Sequence, residues 1–194
     1  IKKLVCPAQK IEEVLKFLDN RIKAGLPVVQ ISVNMSRNHN KPERFISEFL
    51  EVFNRYNVPA KYIQVEILER SFAENRILTQ ITELLHKNGF TVAMDDFGTG
   101  ESSLSMLTKV PIDVLKFDRS FLLSSTNAHG EIDRKSAGFI ESFIGLSKRL
   151  EKETVFEGVE TESQRDFLRI LECDSVQGYF YSKRSEERRV GKEC

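Results

Sequence analysis

Phe90-Thr91-Val92-Ala93-Met94-Asp95-Asp96-Phe97-Gly98-Thr99-Gly100 is the stretch on which the reading of the fold turns. Phe90 to Met94 is an apolar run of strand length and reads as a buried strand. Two aspartates close it, and the Gly-rich segment after them supplies a turn before a short helix at Leu104 to Leu107. Neighbouring residues in a strand point to opposite faces, so Asp95 and Asp96 reach one centre only where the strand ends and the chain turns. Two carboxylates so close repel each other, and a divalent cation relieves that repulsion.

The same strand–helix alternation extends in both directions. Upstream, Ile11, Val14, Leu15, Leu18 and Ile22 recur at helical spacing up to Ala24, and Gly25 and Pro27 stop the helix. Val28 to Val33 predicts a strand, Pro42 opens a helix carrying Phe45, Phe49, Leu50 and Phe53, and Tyr62 to Leu68 predicts a second strand. Ile77 to Leu85 is a helix that Gly89 can cap. Downstream, Val114 to Phe117 is a fourth strand. Asp133 to Leu150 is a helix with Phe139, Phe143, Ile144 and Leu146 expected to face inward. Thr154 to Val159, a helix from Glu162 to Leu171, and Val176 to Tyr181 complete six strands. Alternation of this kind implies an α/β fold with a parallel sheet covered by helices. It fits an open doubly wound sheet or part of a (β/α)8 barrel. No Gly-x-Gly-x-x-Gly follows a strand, which weakens the dinucleotide-binding option.

Composition is that of an ordinary globular domain: 194 residues, 40% hydrophobic, 30% charged, net charge zero. A zero balance implies no broad basic surface for a nucleic acid polymer. No apolar run has membrane-spanning length. The start, Ile1-Lys2-Lys3-Leu4-Val5-Cys6-Pro7, has no initiator Met and no long apolar signal region, so the expectation is a chain that begins inside a longer protein. Cys6, Cys173 and Cys194 lack metal-binding spacing and read as free thiols. Arg184 to Cys194 is polar and aperiodic, looks like the in-frame translation of a sequencing-library adapter, and is set apart from residues 1–183 as an artefactual tail.

Polar residues fall repeatedly at strand ends: Asn34 in the first strand, Glu66 in the second, Asp95 and Asp96 in the third, Lys116 in the fourth, Glu157 in the fifth and Gln177 in the sixth. A charge inside a buried strand is costly unless paired or cation-bound. Six strands each placing one at a similar level would put them where barrel enzymes keep their sites. Carboxylates and an Asn carbonyl are hard oxygen donors, suited to Mg2+ or Mn2+ rather than zinc or iron. His39, His86 and His129 lie off the strand ends and read as surface or loop residues.

Val33-Asn34-Met35-Ser36, Glu66-x-x-Glu69, Asp95-Asp96-Phe97-Gly98-Thr99-Gly100 with Ser102-Ser103-Leu104, Lys116-Phe117-Asp118-Arg119-Ser120-Phe121, Glu157-Gly158-Val159-Glu160-Thr161 and Gln177-Gly178-Tyr179 together resemble the EAL family, in order and spacing, over about residues 10–183. The resemblance implies a modified (β/α)8 TIM-type barrel that, in this chain, lacks its first strand and helix. The namesake Glu-Ala-Leu strand and one metal ligand would lie upstream. It implies hydrolysis of cyclic di-GMP to linear pGpG with two Mg2+ or Mn2+ ions. Carried over, Asn34, Glu66, Asp95, Asp96 and Glu157 resemble metal ligands. Lys116 resembles the group that holds the attacking water, Glu157 is placed to take its proton, and Gln177 resembles a site-floor residue. Glu69, Asp118 and Glu160 resemble loop-anchoring or regulatory residues. The resemblance further implies a homodimer, fusion to GGDEF or sensor domains, and a cytoplasmic domain whose parent protein can be membrane-anchored. Leu68 stands where the family usually has Thr, Glu101 where it has an aromatic, and Phe156 where it has Ala. The first two flank the loop that Glu69 should hold, which leaves a catalytically impaired cyclic di-GMP receptor as the alternative.

Overall fold

The structure is a computed structural model that describes residues 8–35, 42–68, 75–98, 104–125 and 132–182. Its elements alternate as the sequence predicts, apart from the short α5, which the sequence reading does not include: α1 (Ala8–Lys23), β1 (Ile31–Asn34), α2 (Pro42–Phe53), β2 (Ile63–Leu68), α3 (Asn75–Lys87), β3 (Thr91–Phe97), α4 (Leu104–Lys109), β4 (Val114–Phe117), α5 (Ser120–Ser124), α6 (Arg134–Arg149), β5 (Glu153–Glu157), α7 (Glu162–Ile170) and β6 (Ser175–Gln177). The sheet order is β1-β2-β3-β4-β5-β6, and the β1–β2, β4–β5 and β5–β6 pairs are parallel. Sequential order settles the topology left open by the sequence. A doubly wound sheet reverses its strand order at a switch point, whereas a barrel winds in one sense. The fold is α/β of the modified (β/α)8 type.

The chain divides into two compact units. One comprises Lys3–Met94 and Ser103–Asp113. Its helices bury one stripe each: Ile11, Leu15 and Leu18 of α1, Ile46, Phe49 and Val52 of α2, Leu78, Ile81 and Leu85 of α3. Phe90 seats its ring edge against Phe49 and Phe53, with centroids 5.1 and 4.8 Å away. Strand β2 is buried on both faces, Ile63, Val65 and Ile67 on one and Gln64 and Glu66 on the other, as expected of a parallel strand covered on both sides.

The other unit includes Asp95–Ser102 and Val114–Cys194. Its core is phenylalanine-rich. Phe117 stacks on Phe156 (4.6 Å, 13° between planes) and meets Phe97, Phe121 and Phe143 edge-on. The register pairs Phe117 with Phe156, so this stack forms on one sheet face while Lys116 and Glu157 occupy the other. Thr161 and Gln164 cap α7 reciprocally in a capping box.

Several boundaries differ from the expectation. Strand β1 starts at Ile31 rather than Val28, because its partner is in a 3-10 turn over Ala60–Tyr62 and the ladder opens only at Ile31 opposite Ile63. Strand β5 stops at Glu157, where Gly158 turns to φ +76°. Strand β6 stops at Gln177, because Tyr181 and Ser182 turn back to bond the Gly178 carbonyl. In α6 the inward stripe is Ile140, Ile144 and Ser147, while Phe139 is 52% exposed. The stripe follows the i, i+4, i+7 spacing, and Phe139 sits beside it, stacked on Phe121. No helix among the described residues is long and apolar enough to cross a membrane.

Candidate functional site

In the first unit, Asn34 ends β1 and Glu66 lies opposite it on β2. Both are buried, at 6% and 4% exposure. The ladder continues past them, with the Met35 N–H donating to the Glu66 carbonyl at 2.8 Å. Below the pair on the same face, the Ser32 hydroxyl donates to Gln64 Oε1 at 2.8 Å. Asn34 Oδ1 is buried and has no hydrogen-bond partner among the described residues. A buried orphan carbonyl is costly in a folded protein, and a hard cation is one partner that satisfies it.

In the second unit, Asp95, Lys116 and Glu157 come together. The Lys116 ammonium lies 2.8 Å from Glu157 Oε1 and 3.2 Å from Asp95 Oδ1. Register places Lys116 opposite Val155, so Glu157 is its diagonal neighbour on the same face, within reach of a long side chain. Gln177 lies opposite Glu157 on β6. Just beyond, the Val159 N–H donates to the Gln177 carbonyl at 3.1 Å. A Cβ on Gly178 would strike the Val159 backbone, so glycine there permits the close crossing. A Cβ on Gly158 would strike the Arg119 side chain, in a left-handed conformation that already favours glycine.

Asp95 and Asp96 lie inside β3 rather than after it, and the strand runs on to Phe97. The turn expected after the pair begins at Gly98, at φ +82°, and a second left-handed residue comes earlier, at Asp96, which adopts φ +57°. Aspartate tolerates this left-handed region better than most residues. Asp95 is fully buried and Asp96 half-buried.

Other expected residues are placed as follows. Asp118 Oδ1 accepts from the Ser120 N–H at 2.9 Å and opens α5. The Glu160 side chain is exposed, and its N–H donates to Gln164 Oε1 at 2.8 Å. Glu69, Glu101, Thr99, Gly100, Ser102, Ser103, His39, His129, Cys6 and the segment 184–194 lie outside the described residues. His86 is held by Asp113 at 2.7 Å, away from any strand end that carries a site carboxylate.

A second device, not evident from the motifs, occupies the opposite strand ends. Asp113 stands directly before β4 and accepts from the Val92 N–H of β3 at 2.7 Å. Asp174 stands directly before β6 and accepts from the Thr154 N–H of β5 at 2.8 Å. The sequence signal that the two share is an Asp immediately ahead of a strand, and the N-terminal strand ends of barrel folds serve stability. Cys173 lies beside Thr154, and burial pushes its thiol up, which disfavours a reactive thiolate.

Each unit offers oxygen donors of the kind a hard divalent cation prefers, Asn34 with its orphan carbonyl and Glu66 in one, Asp95, Asp96 and Glu157 in the other. Among the described residues no three His, Cys, Asp or Glu side chains gather into a group that alone would hold a metal ion. The cluster that does gather has a lysine between two carboxylates.

The comparisons agree with this frame. The EAL domain family profile matches residues 7–184. Among curated relatives, the chain is 34% identical over 166 residues to "Probable cyclic di-GMP phosphodiesterase PdeG" of Escherichia coli, covering 84% of the chain and 32% of the relative. It is 30% identical over 161 residues to "Cyclic di-GMP phosphodiesterase NbdA" of Pseudomonas aeruginosa, covering 82% and 20%. The chain therefore spans a third or less of the length of these two relatives. The crystal structure of the EAL domain of Mycobacterium smegmatis DcpA matches with a TM-score of 0.77 at 26% identity, covering 93% of this chain and 81% of that one. With its sequential parallel strands, six linked motifs and a profile match over nearly its whole length, the chain belongs to the EAL domain family.

Proposed function

We propose that this chain is the catalytic domain of a phosphodiesterase that hydrolyses cyclic di-GMP to linear pGpG with two Mg2+ or Mn2+ ions. The observation that carries the reading is the buried Lys116 ammonium between Asp95 and Glu157, at a strand level shared with Gln177. The names of the relatives, cyclic di-GMP phosphodiesterases, support the substrate.

Asn34, Glu66, Asp95, Asp96 and Glu157 would hold the ions. Bound divalent cations polarise phosphoryl oxygens and lower the pKa of a coordinated water. The chain's own groups supply the rest. Lys116 donates hydrogen bonds that fix the attacking water and offset charge on the phosphoryl oxygens. Glu157 accepts the proton of that water, which must lie within hydrogen-bond reach of its carboxylate. Gln177 contacts water or substrate from the floor.

Metal dependence tests the reading. The full protein should turn over cyclic di-GMP in Mg2+ or Mn2+ and fail in Ca2+, whose longer bonds and larger ligand number relax the geometry. Full activity in Ca2+ or in excess chelator would sink it.

A further inference from the structure

We infer that Lys116 is an exchangeable internal counter-ion: its ammonium occupies carboxylate oxygens that a divalent cation would claim, so cation entry displaces Nζ from Asp95, Glu157 or both. The inference rests on the proposed role of Asp95 and Glu157 as cation ligands. Its physical basis is the geometry of one ammonium, 2.8 Å from Glu157 and 3.2 Å from Asp95, on a lysine side chain only 7% exposed.

Two carboxylates facing one buried position repel, and the ammonium between them removes that cost. A divalent ion carries twice the charge and competes for the same oxygens. Lysine suits such an exchange, because its charge sits on a flexible four-carbon stem with rotatable donors, whereas an arginine fork would be fixed in place. The register makes the movement short. Lys116 sits opposite Val155 and leans along the strand to reach Glu157, so a change of side-chain rotamer frees it without backbone movement. Once displaced, the ammonium keeps its three rotatable donors. The same residue then acts in sequence, first as a stand-in for the ion and afterwards as the group that holds water.

The test uses the full protein, Mn2+ titration by calorimetry, and thermal unfolding in chelator and in Mn2+. Lys116→Met keeps length and removes charge. It should bind Mn2+ about tenfold or more tightly than wild type, since a competing charge a few ångströms away has gone. It should also melt lower in chelator and gain more from Mn2+ than wild type does. A variant that folds only with Mn2+ supports the inference equally. Equal or weaker Mn2+ affinity with an unchanged melting point in chelator overturns it. An independent reading needs no variant: the Lys116 ammonium NMR signal of wild type should shift on saturation with diamagnetic Mg2+. Normal cation binding with an unshifted signal overturns the exchange alone. Absence of any cation binding by wild type overturns the cation set of the proposed function along with it.

Discussion

Asp95 and Phe97, two residues apart on β3, lie on opposite faces of the sheet. Asp95 meets the Lys116 ammonium, whereas Phe97 sets its ring edge-on to Phe117. A regular strand would put both on one face. The left-handed backbone of Asp96, φ +57°, breaks the alternation and lets one strand feed the site and the aromatic core in consecutive turns of chain.

Asp96 should therefore separate backbone from charge when substituted. Asn tolerates the left-handed region, so Asp96→Asn should keep stability close to wild type and weaken Mn2+ binding. Asp96→Val should lose both, with a backbone penalty of about 1–2 kcal/mol or more for a β-branched residue. Thermal unfolding and calorimetric Mn2+ titration of the two variants check this. Equal stability of both would remove the structural role assigned to the kink.

Phe156 should prove a core residue here, although the family usually has Ala at that position. Its ring is fully buried and stacked on Phe117 at 4.6 Å. Phe156→Ala should cost about 3–5 kcal/mol, because transfer energy is lost and a cavity remains among Phe117 and its neighbours. Denaturant unfolding should show a lower midpoint at unchanged slope. A cost below about 1 kcal/mol would mean that the Phe cluster collapses to refill the space.

Asp133 caps α6 by accepting from the Lys135 and Ser136 N–H groups, each at 3.1 Å. The Ser136 N–H is the main cause that holds its carboxyl below the ordinary carboxylate range. A lowered folded pKa means that the cap's stabilisation is present above the unfolded value and fades as pH falls through the folded one. Asp133→Ala should thus melt below wild type at neutral pH, and the gap should narrow steadily below the ordinary carboxylate range. A pH-independent gap would contradict the charge-assisted cap.

The sequence made much of this legible, for physical reasons. Strand existence follows from short apolar runs, and β4 is found at its predicted bounds, Val114 to Phe117. The candidate site residues stand out in the sequence because a carboxylate in such a run demands a partner, as Glu66, Asp95 and Glu157 do. Strand ends were less legible, because they depend on a neighbour. Val28 to Gln30 stay outside β1 since their partner segment is a 3-10 turn. Phe139 and Ile140 look alike as apolar helix residues, and only packing shows which one faces in. The kink at Asp96 was hidden because an Asp-Asp pair fits either a strand end or a strand interior with one left-handed residue. The Lys116 bridge was hidden for another reason, since register sets which carboxylate a lysine can reach.

Hydrolysis is separated from mere binding by product analysis, using chromatography after the full protein meets cyclic di-GMP in Mn2+, with Asp95→Asn in parallel. Asp95 is a proposed cation ligand that the Lys116 ammonium reaches at 3.2 Å, so its neutralisation should remove turnover. Wild type should yield linear pGpG, and the variant should return intact cyclic di-GMP. Wild-type protein that binds cyclic di-GMP and returns it uncut would contradict it in favour of a receptor, and pGpG at the wild-type rate from Asp95→Asn would contradict the assigned site.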